Sequence, residues 1–241
     1  MFIWAHRGAS HAALENSEAA LALAVEEGAD GVEIDVRRCA SGEVVVCHDD
    51  TLKRVAQSAS PTVEDATFDA LRRIVLNDGS RILRLEEVYE IVGPDRRVNV
   101  ELKLYHRRET GLEQAVVQIV RDLAVGKRTL FSCFHPLPLR RLHARCPEVP
   151  RALLFGISQD FPWRHGWHRR GAPIEAIHPQ FQTLNERRIA AYDRDRLEVN
   201  VWTVDASEQI RRCLALGVDG VITNRPGLAR SIANDNLFTN R

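Results

Sequence analysis

Two pairs of ionisable residues, each spaced two apart, mark where this chain could do chemistry. Glu33 and Asp35 end the apolar run Gly31-Val32-Glu33-Ile34-Asp35-Val36, and Glu101 and Lys103 end the run Val98-Asn99-Val100-Glu101-Leu102-Lys103. In an extended strand, side chains two apart share a face, so each pair points to one side. Carboxylates that converge repel one another unless a cation lies among them. An oxygen-only donor set favours a hard divalent ion, Mg2+ or Ca2+, over zinc. The plainer alternative is a structural network in which each carboxylate pairs with a nearby Lys or Arg. The repetition of the pattern on two separate runs favours a site. His6-Arg7-Gly8 closes the first apolar run, and His48-Asp49 ends a short valine-rich one. Imidazole titrates near neutral pH, so His6 and His48 suit general acid–base work. Arg7 can fork onto a phosphate, and Lys103 adds a second positive charge. Gly8 would let the backbone turn close to a ligand. The other histidines (His11, His106, His135, His143, His165, His168 and His178) are read as ordinary packing or surface residues.

These side chains need elements to hold them. Short runs rich in Val, Ile and Leu predict strands near 2–6, 31–37, 98–103, 129–133, 151–155, 174–178, 198–203 and 219–223. Amphipathic stretches at 17–27, 110–124, 136–145, 185–193 and 206–216 predict helices between them. Such alternation implies a parallel sheet with right-handed crossovers. At 241 residues, closure into a TIM (β/α)8 barrel fits the typical length of about 250. A doubly wound open sheet is disfavoured because no Gly-rich phosphate loop follows the first strand. In a TIM barrel the C-terminal strand ends carry the active site, which is where the ionisable pairs fall. One run breaks the alternation. Residues 43–47 follow the second strand after only Cys39-Ala40-Ser41-Gly42, too short for a parallel crossover. They are expected to fold back as an antiparallel arm that carries His48 over the barrel mouth. Residues 49–95 are read as a small insertion after strand two, with helical patterns near 64–76 and 84–92, within a single domain spanning 1–241. The stretch from Asn234 to Arg241 is polar and read as loose.

Composition narrows the partners. Lys plus Arg number 33 and Asp plus Glu also 33, so the chain lacks the basic field that nucleic-acid binding uses. Local charge must therefore recognise any anion. The cysteines Cys39, Cys47, Cys133, Cys146 and Cys213 are scattered, with no C-x-x-C pair. This argues against a disulfide framework or a zinc site and suits a reducing cytoplasm. No apolar run approaches the ~20 residues of a membrane span, and the opening Met1–His6 has no secretory-leader pattern. A cytoplasmic location is expected. Oligomeric state is left open.

The motifs in order resemble the glycerophosphodiester phosphodiesterase family along nearly the whole chain. His6-Arg7-Gly8 is followed by Glu15-Asn16-Ser17, similar to the family's Pro-Glu-Asn-Thr, then Glu33-Ile34-Asp35-Val36 and Val45-Val46-Cys47-His48-Asp49. Leu52-Lys53-Arg54 and Leu85-Glu86-Glu87-Val88 resemble the landmarks that bound the family's insertion. Glu101-Leu102-Lys103, Val201-Trp202-Thr203-Val204 and the run from Gly217 to Pro226 match the later strands. The resemblance implies a TIM barrel that hydrolyses glycerophosphodiesters to glycerol 3-phosphate and an alcohol. It implies Glu33, Asp35 and Glu101 as metal ligands, His6 and His48 as the acid–base pair, and Arg7 and Lys103 as phosphate holders, with Glu15 in support. Trp202 is a candidate contact for the glycerol moiety, against a plain packing role. The segment 158–170, with Trp163 and Trp167 among basic residues, could overhang the mouth, but the preferred reading is an amphipathic barrel helix. The chain departs from the family pattern in a few places. Leu14 stands where the family has proline and Ser17 where it has threonine. Cys133 separates Ser132 from Phe134, and Asp205 sits where asparagine is common. No candidate ligand is lost. Competing expectations are a lysophospholipase D-type lipid phosphodiesterase, a non-catalytic phosphate-binding barrel, and a Mg2+-dependent barrel lyase or isomerase with a lysine base.

Overall fold

A computed structural model of the chain describes residues 1–56, 61–104, 110–157 and 173–239. The segment 158–170, together with His106, His165 and His168, lies outside the described residues. Strands β1 (Phe2–His6), β2 (Gly31–Arg38), β3 (Val44–Val46), β4 (Arg97–Leu102), β5 (Thr129–Cys133), β6 (Arg151–Phe155), β7 (Ala176–Pro179), β8 (Glu198–Val201) and β9 (Gly220–Thr223) form one sheet. Its order is β1-β9-β8-β7-β6-β5-β4-β2-β3, and pairing of β1 with β2 closes eight parallel strands into a barrel. β3 lies outside the ring, antiparallel on the end of β2 with Val36 opposite Val46 and Arg38 opposite Val44. The short Cys39–Gly42 connection imposes that reversal.

Helices Glu18–Glu26, Leu112–Asp122, Pro136–Arg145, Glu186–Arg194, Ser207–Ala215 and Pro226–Thr239 lie in the crossovers and after the last strand. Their starts follow local rules. Ser17 Oγ accepts from Ala20 N, Asn185 caps the helix from Glu186, and prolines occupy first-turn positions at 136 and 226. Apolar outward faces of the strands meet apolar helix stripes in two shells, one including Ile34, Val100, Phe131 and Leu153, the other Ile3, Phe155, Val199 and Val221. The inward faces form a separate plug of Trp4, Leu130, Ala152, Ala176 and Ile222. Trp4 fits because Gly31 opposite it has no side chain; a Cβ there would sit 2.7 Å from the indole. Trp4 Nε1 donates to Asn200 Oδ1 at 3.1 Å. The plug thus fills the barrel interior below the strand ends.

Two expectations change. The pattern at 64–76 is not one helix but a 3-10 turn, Val63–Asp65, followed by a short helix, Phe68–Arg73. Ala66 is extended, and Thr67 starts the second piece by accepting from Ala70 N at 3.3 Å, so a capping side chain breaks the periodicity. The stretch read as loose from Asn234 is helical to Thr239. The helix that begins at Pro226 is anchored by buried Ala229 and Ile232, with Leu228 and Ala233 packed beside them. The insertion closes its own small core with Val45, Leu52, Val63, Leu71 and Ile82. All five cysteines are buried and free.

Candidate active site

The upper strand ends of the barrel carry polar side chains into the opening. β1 and β2 pair so that His6 lies beside Glu33, and β2 and β4 pair so that Asp35 lies beside Glu101. Glu33, Asp35 and Glu101 are all buried, and each offers a carboxylate oxygen within 4.8 Å of the others. The salt-network alternative is met only in part. Asp35 is ion-paired with Arg7 Nε at 3.0 Å and Lys103 Nζ at 3.2 Å, though neither contact has hydrogen-bond geometry, and Glu101 accepts from Lys103 Nζ at 2.6 Å. Asn16 Nδ2 also donates to Asp35 Oδ2 at 3.1 Å. Among the described residues Glu33 has no comparable cation. Its Oε1 is buried without a hydrogen-bond partner, and Oε2 has only His6 Nε2 at 3.9 Å and the Arg7 N–H at 3.3 Å.

Burial and then the Asp35 and Glu101 charges push the Glu33 carboxyl well above the ordinary carboxylate range. Burial raises Glu101 as well, against the pull of Lys103. Burial would raise Asp35 too, but Lys103 and Arg7 outweigh it and hold that group below its usual value. Three buried carboxylates against two buried or half-buried cations leave Glu33 with a proton or with a need for another cation. An uncompensated buried charge costs several kcal/mol. The all-oxygen donor set and the unpartnered Glu33 oxygen fit a hard divalent ion.

The backbone at Arg7 is left-handed, with φ 58°, a conformation that costs a non-glycine residue on the order of 1 kcal/mol. Bonds from Arg7 N to Glu33 O at 2.8 Å and from Asn16 N to Arg7 O at 2.9 Å hold it there. Gly8 follows at φ 82°, and a Cβ on it would lie 2.5 Å from the Ala20 carbonyl carbon. Its freedom therefore serves packing against helix Glu18–Glu26, not approach to a ligand.

His6 Nδ1 lies 2.7 Å from Asn224 Oδ1. Asp205 Oδ2 takes the Asn224 amide N–H at 2.6 Å, which fixes that amide with its oxygen toward the ring. An amide oxygen only accepts, so Nδ1 carries the proton and Nε2 faces the Glu33 side. Burial, reinforced by Arg7, lowers His6 to about 4. His48 Nδ1 lies 2.6 Å from Asp49 Oδ1, and burial lowers this imidazole too. His6, Arg7, Glu33, His48, Glu101, Lys103 and Trp202 line one cavity of about 300 Å³, with Phe134, Leu154 and Ile222. Trp202 and Phe134 meet edge to face, with centroids 5.5 Å apart, as an apolar wall. Glu15 stands outside that cavity, where it accepts from Arg7 Nη1 at 2.9 Å.

Several contributors are not legible as site residues in the sequence. Asn224 is 218 positions from His6, and no local pattern connects the two. Asp205, read only as a departure from the family pattern, anchors that asparagine. Arg54, read only as a landmark, donates from Nε to Asp49 at 2.7 Å and from both terminal nitrogens to Glu15. Asp49 is signalled in the sequence only by its place beside His48 and in the motif ending His48-Asp49. His178, taken as a packing residue, is fully buried below the site and bonded to Asn200 at 3.2 Å. His135 caps the helix Pro136–Arg145.

Comparison with known proteins adds the ancestry. The Glycerophosphoryl diester phosphodiesterase family profile matches residues 6–228. A glycerophosphodiester phosphodiesterase of Caldanaerobacter subterraneus is 30% identical over 230 residues, covering 92% of this chain and 93% of its own. The solved structure of a glycerophosphodiester phosphodiesterase from Thermotoga maritima is 28% identical with a TM-score of 0.78, covering 96% of this chain and 98% of its own. A structure from Agrobacterium tumefaciens superposes with a TM-score of 0.90 over 99% of both chains; at 22% identity it bears on the fold alone.

Proposed function

The chain belongs to the glycerophosphoryl diester phosphodiesterase family, and from that premise we propose that it is a metal-dependent hydrolase working with two histidines. Its substrate is a glycerophosphodiester, and its products are glycerol 3-phosphate and an alcohol. The observation that carries this reading is Glu33: a buried carboxylate with an unpartnered oxygen, beside Asp35 and Glu101, at the wall of a cavity that also holds two imidazoles, Arg7 and Lys103.

Glu33, Asp35 and Glu101 would hold the ion, Mg2+ or Ca2+. An ion bound there supplies Lewis acidity toward the phosphate oxygens. The protein's own groups do the rest. Arg7 and Lys103 offset the phosphate charge while staying tied to Glu15, Asp35 and Glu101. The glycerol hydroxyl next to the phosphorylated carbon is already close to phosphorus, so its attack is effectively intramolecular. One histidine takes the proton from that hydroxyl. As the P–O bond to the alcohol breaks, the other histidine, which enters the step as the imidazolium, gives its Nε2 proton to the departing oxygen. The cyclic phosphate so formed is opened by water with the two histidines in exchanged parts. The Trp202–Phe134 wall packs against the carbon skeleton of the glycerol.

A metal panel tests this reading. Protein stripped of metal and supplied with Mg2+ or Ca2+ should release glycerol 3-phosphate from glycerophosphocholine, glycerophosphoethanolamine or glycerophosphoinositol in preference to a lysolipid. No metal-dependent release from any of them would sink the proposal. A substrate lacking the adjacent hydroxyl separates the cyclic route from direct attack by water: turnover should fall at least ~100-fold, and undiminished turnover excludes the cyclic step.

A further inference from the structure

A run of charged contacts crosses the lip of the site and links two groups that the proposed chemistry uses separately. Asp49 Oδ1 meets His48 Nδ1 at 2.6 Å, and Asp49 Oδ2 accepts from Arg54 Nε at 2.7 Å. The terminal nitrogens of Arg54 grip both oxygens of Glu15, with Nη2 to Oε1 at 2.8 Å. Glu15 Oε1 in turn accepts from Arg7 Nη1 at 2.9 Å, and Arg7 Nε reaches Asp35 at 3.0 Å. Arg54 is itself positioned from below. Leu52 and Ala56 are buried in the small core of the insertion, and Asn77 Nδ2 donates to the Arg54 carbonyl at 3.3 Å. The arm bearing His48 and the β1 loop bearing Arg7 therefore meet through one guanidinium.

We propose that Arg54 is a positioning residue that, through Asp49 and Glu15, sets the ring of His48 and the fork of Arg7 at a fixed placement across the cavity mouth. This rests on the reading of His48 and Arg7 given above. Arg54 is 47% exposed, and exposed ion pairs add little to stability. A guanidinium forked between two carboxylates does fix geometry, in a way that the point charge of lysine cannot reproduce. Asp49 as acceptor keeps the His48 proton on Nδ1 and leaves Nε2 to the substrate, the role an orienting carboxylate plays for an imidazole.

The test compares Arg54→Ala, Arg54→Lys, Asp49→Ala, Glu15→Ala and His48→Ala in the metal-loaded enzyme. Arg54→Ala should lower kcat/KM on the order of 100-fold, through both kcat and KM, while Tm moves less than about 4 °C. Asp49→Ala should lower kcat on the order of 10- to 100-fold with KM within about threefold, and Glu15→Ala should act mainly on KM. Arg54→Lys should restore less than about a tenth of the lost activity. Nitrogen NMR of labelled histidine, with the His48 signal assigned by its loss in His48→Ala, should show the Nδ1–H tautomer in the wild type. A mixture of tautomers is expected in Asp49→Ala and Arg54→Ala. Wild-type kcat, KM and tautomer in Arg54→Ala, with His48→Ala inactive, would overturn the relay and leave the reading of the site standing. Activity surviving in His48→Ala would overturn that reading and the relay with it.

Discussion

Glu33 is the residue whose chemistry is least comfortable without a cation. Its folded carboxyl titrates well above 4.5, the value expected of an unburied glutamate. Between 4.5 and that raised value the folded protein holds a proton that the unfolded chain releases. The stability of the metal-free protein should therefore fall as pH rises through this window. Glu33→Gln removes the charge and keeps the shape. We expect the metal-free variant to be more stable at neutral pH than the metal-free wild type, by on the order of 1 kcal/mol, with a flatter dependence of Tm on pH. With saturating metal the order should reverse, because the variant loses affinity by at least ~100-fold. Calorimetric titration in two buffers of different ionisation enthalpy checks the same point: binding to the wild type should release protons, and binding to Glu33→Gln should release fewer. Equal proton release would mean that Glu33 is already ionised in the empty site.

The elements set how accurately such residues are held. The β1 end is a strained turn, Arg7 at φ 58° followed by Gly8 at φ 82°, packed on the first helix with no room for a Cβ. Gly8→Ala should cost about 1–3 kcal/mol and should also remove most activity, since relief of the clash shifts the turn that carries both His6 and Arg7. Thermal melts and kcat measured on one preparation test both effects; a variant destabilised but fully active would show that the turn does not govern the site. The β2–β3 reversal matters in a different way. It was readable in advance because a four-residue connection forbids a parallel crossover. The split of the 64–76 pattern was not, because Thr67 acts as a cap only once its backbone has turned.

At the scale of the molecule, the barrel needs a solid floor to keep an open mouth. Trp4, fully buried between Gly31 and Ile222, is the largest side chain of the interior plug. Trp4→Ala should cost about 3–5 kcal/mol through lost burial and the void left behind, read as a lower denaturation midpoint. The chain carries equal numbers of basic and acidic side chains, so under the proposed function attraction of an anionic diester would rest on local cations such as Arg7 and Lys103, not on an overall field. No helix among the described residues is long and apolar enough to cross a membrane.

Local spacing determined the outline by itself. Period-two ionisable pairs on apolar runs, alternating strand and helix patterns and a connection too short for a crossover point to a parallel barrel with its polar groups at one end, because strand alternation and loop length act over a few residues. Tertiary structure decided the state of those groups. Whether Glu33 finds a cation partner, which amide meets His6 and whether Arg54 touches Glu15 depend on contacts between residues 26, 218 and 39 positions apart. Only the folded barrel and the insertion packed on it bring such residues within hydrogen-bonding distance, and burial then shifts their charges.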